Sequence, residues 1–221
     1  MFDFSTVLLV DKKQDGFCSE VAVQLRKKNI NAVVWANKSE KNFEEFITIS
    51  GERCINQSLS EIKLCTNIVT FIQAKDPKHF VQNKNGILYL SRELGMEAIC
   101  TIITNHSNEV VLRKAEIAAT KIIRSLGVQV NICGYRYLKT AVMCCIKNPE
   151  LMYTVVKLYK IVGEIYDSYY LNVERGIRTA IEMSYNRHPD MIERHFAYRT
   201  GKPSNSEVIA MIADTVRTWV L

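Results

Sequence analysis

The chain has 221 residues, 48% of them hydrophobic, which is enough for one large globular domain or two small ones. No segment approaches the run of about 18 to 20 apolar residues that a membrane-spanning helix requires, so we expect no membrane partner. The net charge of +6 is unevenly distributed. Residues 1–107 carry 13 basic and 12 acidic side chains, whereas residues 108–221 carry 16 and 11. This basic excess favours a polyanionic partner for the second half.

The cysteines and histidines do not have the spacing of a metal or redox site. Seven cysteines are scattered without a CxxC pair, and the four histidines show no ligand spacing. The adjacent Cys144 and Cys145 leave such a site open, but scattered thiols more often pack as small hydrophobic side chains in a reducing cytoplasm. The sequence also lacks a glycine-rich phosphate loop and a Ser/His/Asp order. We therefore expect a cytoplasmic protein that is not an enzyme and has no catalytic residues, metal or cofactor.

The first half of the sequence alternates short β-branched segments with amphipathic ones. Strands are predicted at residues 6–10, 31–36, 67–72, 86–90 and 98–104, and helices at 19–27, 42–46 (running into 47–49) and 58–64. Strands separated by helices are typical of βα units, so we predict an α/β domain with a mostly parallel sheet over residues 1–106. The polar residues 104–110 are predicted to form a short linker.

The second half, residues 110–221, has the 3.6-residue period of helices. Helices are predicted at residues 110–126, 135–147, 150–159, 189–195 and 204–219, with two more inside 160–186 separated by a break near 167–170. Gly127 suits the end of the first helix, and Pro149 suits the first turn of the third. The predicted fold class is thus an α/β domain followed by an all-α domain.

Residues 160–187 have the pattern of a helix-turn-helix. Val173, Ile177 and Ile181 recur every four residues and predict one buried stripe, and a short apolar helix precedes them. The opposite face of the second helix, about residues 171–186, carries the predicted base-reading residues Asn172, Glu174, Arg175, Arg178 and Thr179. The second helix of such a unit enters the major groove, where arginine donates to guanine and glutamate accepts from cytosine.

Purely structural roles are also open for these residues. Glu174 and Arg178 are four residues apart and could form an ordinary exposed ion pair worth about 0.3–0.5 kcal/mol. Ser204 and Glu207 have the spacing of a capping box, although the backbone N–H groups of the same turn could equally hold a DNA phosphate. The candidate phosphate contacts are Arg136, Lys139, Lys157, Lys202, Ser204 and Asn205.

Five segments resemble, in the same order, the effector domain of the stage-zero sporulation protein A family, the master response regulators of endospore formation. They are IIRSLGV (122–128), GYRYLKTAV (134–142), NPEL (148–151), VERGIRTAIE (173–182) and KPSNSEVIAMIAD (202–214). The resemblance covers about residues 110–221, roughly half of the chain. It implies a six-helix domain whose recognition helix reads a short box in double-stranded DNA, usually as tandem dimers.

The resemblance also assigns roles to single residues. The base-contacting glutamate and first arginine of the family fall on Glu174 and Arg175, and a further arginine falls on Arg178. The chain departs from the family pattern at Lys160 (proline), Asn172 (arginine), Gly176 (alanine) and Thr179 (histidine). Gly176 should cost the helix up to about 1 kcal/mol. We expect the protein to read a related DNA box rather than an identical one.

In that family the first half is a receiver domain, in which acidic residues hold Mg²⁺ and one aspartate accepts a phosphoryl group. Here Asp11 ends the first predicted strand, but Lys12 follows it where a second acidic residue is expected. No aspartate ends a strand at the expected phosphoacceptor position, where residues 47–55 read ITISGERCI, and Asp76 comes too late. We predict a receiver-like domain without a phosphoacceptor site, whose role is dimerisation or sensing.

Two functions from different classes fit these features. The leading hypothesis is a sequence-specific DNA-binding transcription regulator of sporulation or related late-growth genes. It would act as a homodimer, in tandem on DNA, with RNA polymerase as a candidate partner. The alternative is a protein-interaction antagonist that pairs with, or competes against, a full sporulation response regulator. A sequence-dependent gel shift with the pure protein distinguishes the two.

Overall fold

The computed structural model describes residues 7–11, 15–36, 67–72, 80–84, 87–196 and 201–220. The chain divides into two compact units, Met1–Leu112 and Arg113–Leu221. The division falls inside a single helix, Met96–Ser125, so residues 104–110 are helical and the linker predicted there is wrong. Independent folding of residues 1–106 and 110–221 stays a prediction.

The first unit includes a five-stranded sheet among its described residues. Its elements are β1 (Val7–Asp11), α1 (Phe17–Lys27), β2 (Ala32–Ala36), β3 (Asn67–Ile72), β4 (Val81–Lys84), β5 (Ile87–Ser91) and the first part of α2 (Met96–Ser125). The strand order is β2-β1-β3-β5-β4, and among the described strands only β4 pairs antiparallel. Leu9, Val69 and Leu90 of the parallel strands are fully buried. Such apolar strands need cover, and Val21 and Leu25 of α1 join their core.

The described part of this unit confirms most of the predicted elements. The strands predicted at 6–10, 31–36, 67–72 and 86–90 and the helix at 19–27 are present within one or two residues of their predicted limits. The short strand β4 has the polar sequence VQNK, which lacks the apolar signal of a strand and escapes prediction. The elements predicted at 42–46, 47–49 and 58–64 lie outside the described residues.

The strand predicted at residues 98–104 is wrong, because this segment belongs to the beginning of α2. Its β-branched sequence AICTIIT is typical of strands. Ile99, Ile103 and Ser107 are nevertheless all buried, and a spacing of four residues places them on one helix face. The hydroxyl group of Thr101 donates to the carbonyl oxygen four residues earlier at 2.9 Å, as helical threonines do. Burial along one helical face therefore outweighs the local strand propensity.

The second unit is all-helical, as predicted. It consists of the last part of α2, α3 (Cys133–Lys147), a 3₁₀ helix (Pro149–Met152), α4 (Val155–Ile165), α5 (Tyr170–Arg187), α6 (Pro189–Glu193) and α7 (Asn205–Val220). Gly127 follows the end of α2 at φ +79°, in the left-handed region that glycine favours. Pro149 begins the 3₁₀ helix, and the Asn148 side chain caps it by accepting a hydrogen bond from the Glu150 N–H at 3.1 Å.

One helix boundary in this unit differs from the prediction. The sequence predicts a helix over residues 150–159 and another beginning near 160, whereas the structure has the 3₁₀ helix followed by α4. Thr154 is the residue before α4, and its carbonyl oxygen accepts from the Leu158 N–H at 3.0 Å. The Thr154 hydroxyl does not cap α4 but donates back to the Glu150 carbonyl oxygen of the 3₁₀ helix at 3.3 Å, so the break falls between the two helices at this residue. The helix preceding α5 is therefore 11 residues long and begins earlier than predicted.

Helix α3 contacts α4, α5 and α7. At one point the backbones of α3 and α5 approach each other closely. Gly134 and Gly176 face each other there, and a β-carbon on Gly134 would overlap the Gly176 carbonyl oxygen. A β-carbon on Gly176 would lie 3.0 Å from the Tyr137 ring. Two helices come this close only where side chains are absent. Gly176 therefore has a packing role in addition to its cost in helix propensity.

Replacing Gly134 with alanine should destabilise the second unit. The added methyl group has to displace the backbone of α5, and overpacking of this kind lowers the free energy of unfolding by about 1–3 kcal/mol. Urea denaturation followed by circular dichroism measures the loss. Gly95→Ala is the control, because nothing lies within 4 Å of a β-carbon at that position. An unchanged midpoint for Gly134→Ala would contradict the close approach of α3 and α5.

Candidate nucleic-acid interface

Helices α4 and α5 and the turn between them form a helix-turn-helix. Asp167 occupies the left-handed region of the turn at φ +47°, which aspartate tolerates better than most residues. The Ser168 N–H donates to the Gly163 carbonyl oxygen at 2.9 Å, and a β-carbon on Gly163 would overlap the Ser168 carbonyl oxygen. Gly163, near the end of α4, is therefore the glycine that this turn requires, because the backbone of the turn packs directly against it.

The two faces of α5 differ as the sequence predicts. Val173, Ile177 and Ile181 are almost completely buried, with Ala180 beside them. The opposite face is exposed and presents Asn172, Arg175, Arg178 and Thr179. No ion pair with another described residue engages Arg175. The structure thus brings four of the five predicted base-reading side chains together on one solvent-facing surface, with the fifth, Glu174, at its edge.

Glu174 and Arg178 form the ion pair that their spacing allows. The Glu174 side chain is only 23% exposed, whereas that of Arg178 is 58% exposed. Pairs of this kind on a helix surface contribute little to stability, about 0.3–0.5 kcal/mol. The carboxylate lies at the edge of the exposed face, so the pair favours an arginine conformation in which the guanidinium lies beside Glu174. Arg178 is therefore biased towards one orientation but not fixed in it.

A buried polar contact connects α5 to two other helices. Asn205, the first residue of α7, is 9% exposed, and its side-chain amide donates to the Glu174 carbonyl oxygen at 3.0 Å. The Asn205 side chain also lies beside the hydroxyl group of Tyr159 in α4. Burial raises the pKa of Tyr159, the Asn205 side chain acts to lower it, and the Glu174 carboxylate raises it further. The hydroxyl therefore stays protonated, and Asn205 joins α7 to the first turns of α5 beside Tyr159 of α4.

The candidate phosphate contacts at residues 202–205 already have partners in the protein. The Ser204 N–H donates to the Glu207 carboxylate at 2.7 Å, and the Glu207 N–H donates to the Ser204 hydroxyl oxygen at 3.3 Å. These bonds confirm the capping box, which begins α7. Lys202 is paired with Glu182. The sequence predicts Asn205 only as a phosphate contact and does not indicate its hydrogen bond to α5.

The other three candidate cations lie on α3 and α4. Lys139 is paired with Glu116, with 2.6 Å between its Nζ and the carboxylate oxygen. Arg136 is exposed, and its guanidinium lies 5.9 Å from the centre of the Tyr166 ring in the helix-turn-helix turn. Lys157 is exposed on α4. Arg136 and Lys157 therefore lie on two helices that contact α5.

Groups suited to metal or redox chemistry are not gathered in the described residues. No cluster of three or more metal-binding side chains occurs there, and none of the described helices is long and apolar enough to cross a membrane. Cys145 is fully buried, and this burial raises the pKa of its thiol to about 11. A thiol that stays protonated is a poor nucleophile and a poor metal ligand. Cys145 therefore has the packing role that its spacing predicts.

Replacing Asn205 with alanine should destabilise the second unit by about 0.5–1.5 kcal/mol, because the hydrogen bond from its amide to the Glu174 carbonyl oxygen is lost. Thermal unfolding of the full chain measures the loss. Asn186→Ala, on the exposed side of α5, is the matched control and should unfold as the parent does. Equal melting of the Asn205 and Asn186 variants would show that the three-helix contact is unimportant.

A comparison with known families finds a match within the second half of the chain. Residues 119–216 match the family described as Sporulation initiation factor Spo0A C terminal. The matched range extends from the last part of α2 into α7 and includes the whole helix-turn-helix. This match confirms the resemblance predicted for the second half of the chain. The domains of this family are helical DNA-binding domains of sporulation transcription factors.

Proposed function

We propose, on the premise that residues 119–216 form a Spo0A C-terminal domain, that this protein is a sequence-specific transcription regulator of sporulation or related late-growth genes. Helix α5 enters the major groove, and α4 crosses the DNA backbone. The observation that carries the proposal is the exposed face of α5, where Arg175 and Arg178 lie opposite a buried stripe. The basic excess of residues 108–221 supports a polyanionic partner.

Each exposed side chain of α5 has a chemically suitable target on the bases. Arg175 donates two hydrogen bonds to guanine O6 and N7, and Asn172 has the amide that pairs with adenine N6 and N7. Thr179 offers both a hydroxyl and a methyl group. Arg178 reads a base while Glu174 supports its guanidinium or accepts from cytosine N4. Four direct readers on one helix are sufficient for a short DNA box.

The candidate contacts to the DNA backbone differ in which interactions within the protein each side chain has to break in order to reach a phosphate. Lys157 and Arg136 are exposed and reach phosphates without breaking an ion pair of the described residues. Lys139 and Lys202 first have to exchange Glu116 and Glu182 for phosphate. Ser204 and Asn205 are bound within the protein through their side chains, so they reach a phosphate only through the backbone N–H groups at the start of α7. Lys157 and Arg136 are therefore the preferred contacts.

We also propose that aspartyl phosphorylation does not switch this regulator. The support is in the sequence, where Lys12 follows Asp11 and the segment 47–55 offers no phosphoacceptor aspartate. The first unit would then serve dimerisation or the sensing of another signal. A homodimer binding tandem half-sites, with RNA polymerase as a further partner, is consistent with this arrangement. The chromosome of a bacterium lies in the cytoplasm, which is where such a regulator acts.

Replacing Arg175 with alanine should weaken specific DNA binding by about 1–3 kcal/mol, which is roughly a 5- to 150-fold loss of affinity, while the fold is retained. The reason is the loss of a two-bond contact to guanine. Gel shifts with a duplex selected from random sequences measure it at fixed salt. Arg187→Ala removes the same charge from the last turn of α5 and is the control.

Two outcomes would contradict the assignment of α5. A folded Arg175→Ala variant that binds the selected duplex as well as the parent does would show that another element reads the bases. No sequence-dependent shift of the parent protein would instead favour the alternative function, an antagonist that pairs with or competes against a full sporulation response regulator.

Replacing Lys157 with alanine should weaken binding equally for all sequences. If Lys157 neutralises one phosphate in the parent complex, the variant releases one condensed counterion fewer on binding. The slope of log K against log salt concentration then becomes shallower by about 1. Fluorescence anisotropy over a salt series measures the slope. Lys147→Ala, in the last turn of α3, removes the same charge elsewhere and should leave the slope unchanged. A variant slope equal to that of the parent would remove Lys157 from the interface.

A further inference from the structure

We infer that Leu171 is a specificity-determining residue that contacts the C5-methyl group of a thymine. This inference rests on the proposed function and adds one base to what α5 reads. Leu171 lies in the first turn of α5 and is 49% exposed. Among the described residues it is the only exposed large hydrophobic side chain within α5. About half of the Leu171 side chain is therefore accessible to a partner that lies against the exposed face of α5.

The position of Leu171 aligns it with the arginines of the same helix. Residues four and seven positions apart lie on one face of an α-helix, which places Leu171, Arg175 and Arg178 in one row. A rise of about 1.5 Å per residue puts Leu171 about 6 Å before Arg175 along the axis. Bases are about 3.4 Å apart along one strand, so the thymine lies within about two base pairs of the guanine that Arg175 contacts.

The neighbouring exposed aromatic residue does not fit this role. The Tyr169 side chain is 61% exposed, but its ring packs against the Tyr170 ring with 4.7 Å between the ring centres. The Tyr170 ring is also 5.8 Å from the Lys160 ammonium group. These contacts hold the aromatic pair beside α4. Leu171 points from the other side of the same turn, on the face that carries Asn172 and Arg175.

An apolar side chain distinguishes thymine from the other bases in the major groove. Thymine alone presents a methyl group there, and the other groups on the base edges are hydrogen-bond donors and acceptors. A leucine directed at cytosine or adenine would bury polar groups without a hydrogen bond, which is unfavourable. Leu171 therefore selects thymine in two ways. It makes a favourable apolar contact with the methyl group, and at any other base it would bury polar groups unfavourably.

Substitution of uracil for thymine tests this contact, because uracil keeps the hydrogen-bonding groups of thymine and lacks only the methyl group. Duplexes are selected from a random pool with the full chain, and each thymine of the recovered site is replaced in turn. The guanine that Arg175 contacts is identified first, as the one whose replacement does not change the affinity of Arg175→Ala. At one thymine within two base pairs of this guanine, replacement by uracil should lower the affinity of the parent protein about fourfold. Leu171→Ala should bind the thymine and uracil duplexes within about 1.5-fold of each other.

The control is Ile165→Ala, an exposed apolar residue at the end of α4, which should keep the full preference for thymine. Leu171→Ala itself should melt as the parent does, because its side chain is exposed. A parent that tolerates uracil at every position, or a Leu171→Ala variant that keeps the parent's preference, overturns the inference while the proposed function stands. A parent that selects no sequence at all overturns both.

Discussion

The backbone contact between α3 and α5 is the constraint on which the second unit depends. A recognition helix has to present one face to DNA and bury the other, and its rotation about its own axis decides which face that is. Gly134 and Gly176 remove the side chains that would separate the two helices, so the α5 backbone rests directly on α3. The row of Val173, Ile177 and Ile181 then meets the core at one rotation only, and the arginines are left outside.

A second set of contacts fixes α5 at its N-terminal end, where a recognition helix meets the bases. The Asn205 amide donates a hydrogen bond to the Glu174 carbonyl oxygen, beside the buried Tyr159 of α4. The capping box of Ser204 and Glu207 keeps the start of α7 in place for this purpose. Packing therefore sets the rotation of α5, and buried hydrogen bonds set the position of its first turns.

The sequence was sufficient for features that repeat over short distances. The stripe of α5, the end of α2 at Gly127 and the buried parallel strands follow from local periodicity and from residues with special backbone preferences. The segment 98–104 shows the limit of that method, since its β-branched residues suit a strand and only tertiary packing makes it a helix. The Asn205–Glu174 hydrogen bond joins residues that are 31 positions apart, so no local sequence pattern predicts it.

The pairing of Glu174 with Arg178 bears on how long the protein dwells on the wrong DNA. A lone arginine adheres to any phosphate it meets, and such adhesion delays the search through a genome of competing sites. An arginine that already has a carboxylate neighbour gains little by exchanging it for a random phosphate. A base edge that offers the guanidinium two matched acceptors compensates for the loss of the ion pair with the carboxylate. If Arg178 reads a base as proposed, the acidic residue beside it lowers affinity for DNA in general and raises the contrast between the correct box and all other sequences.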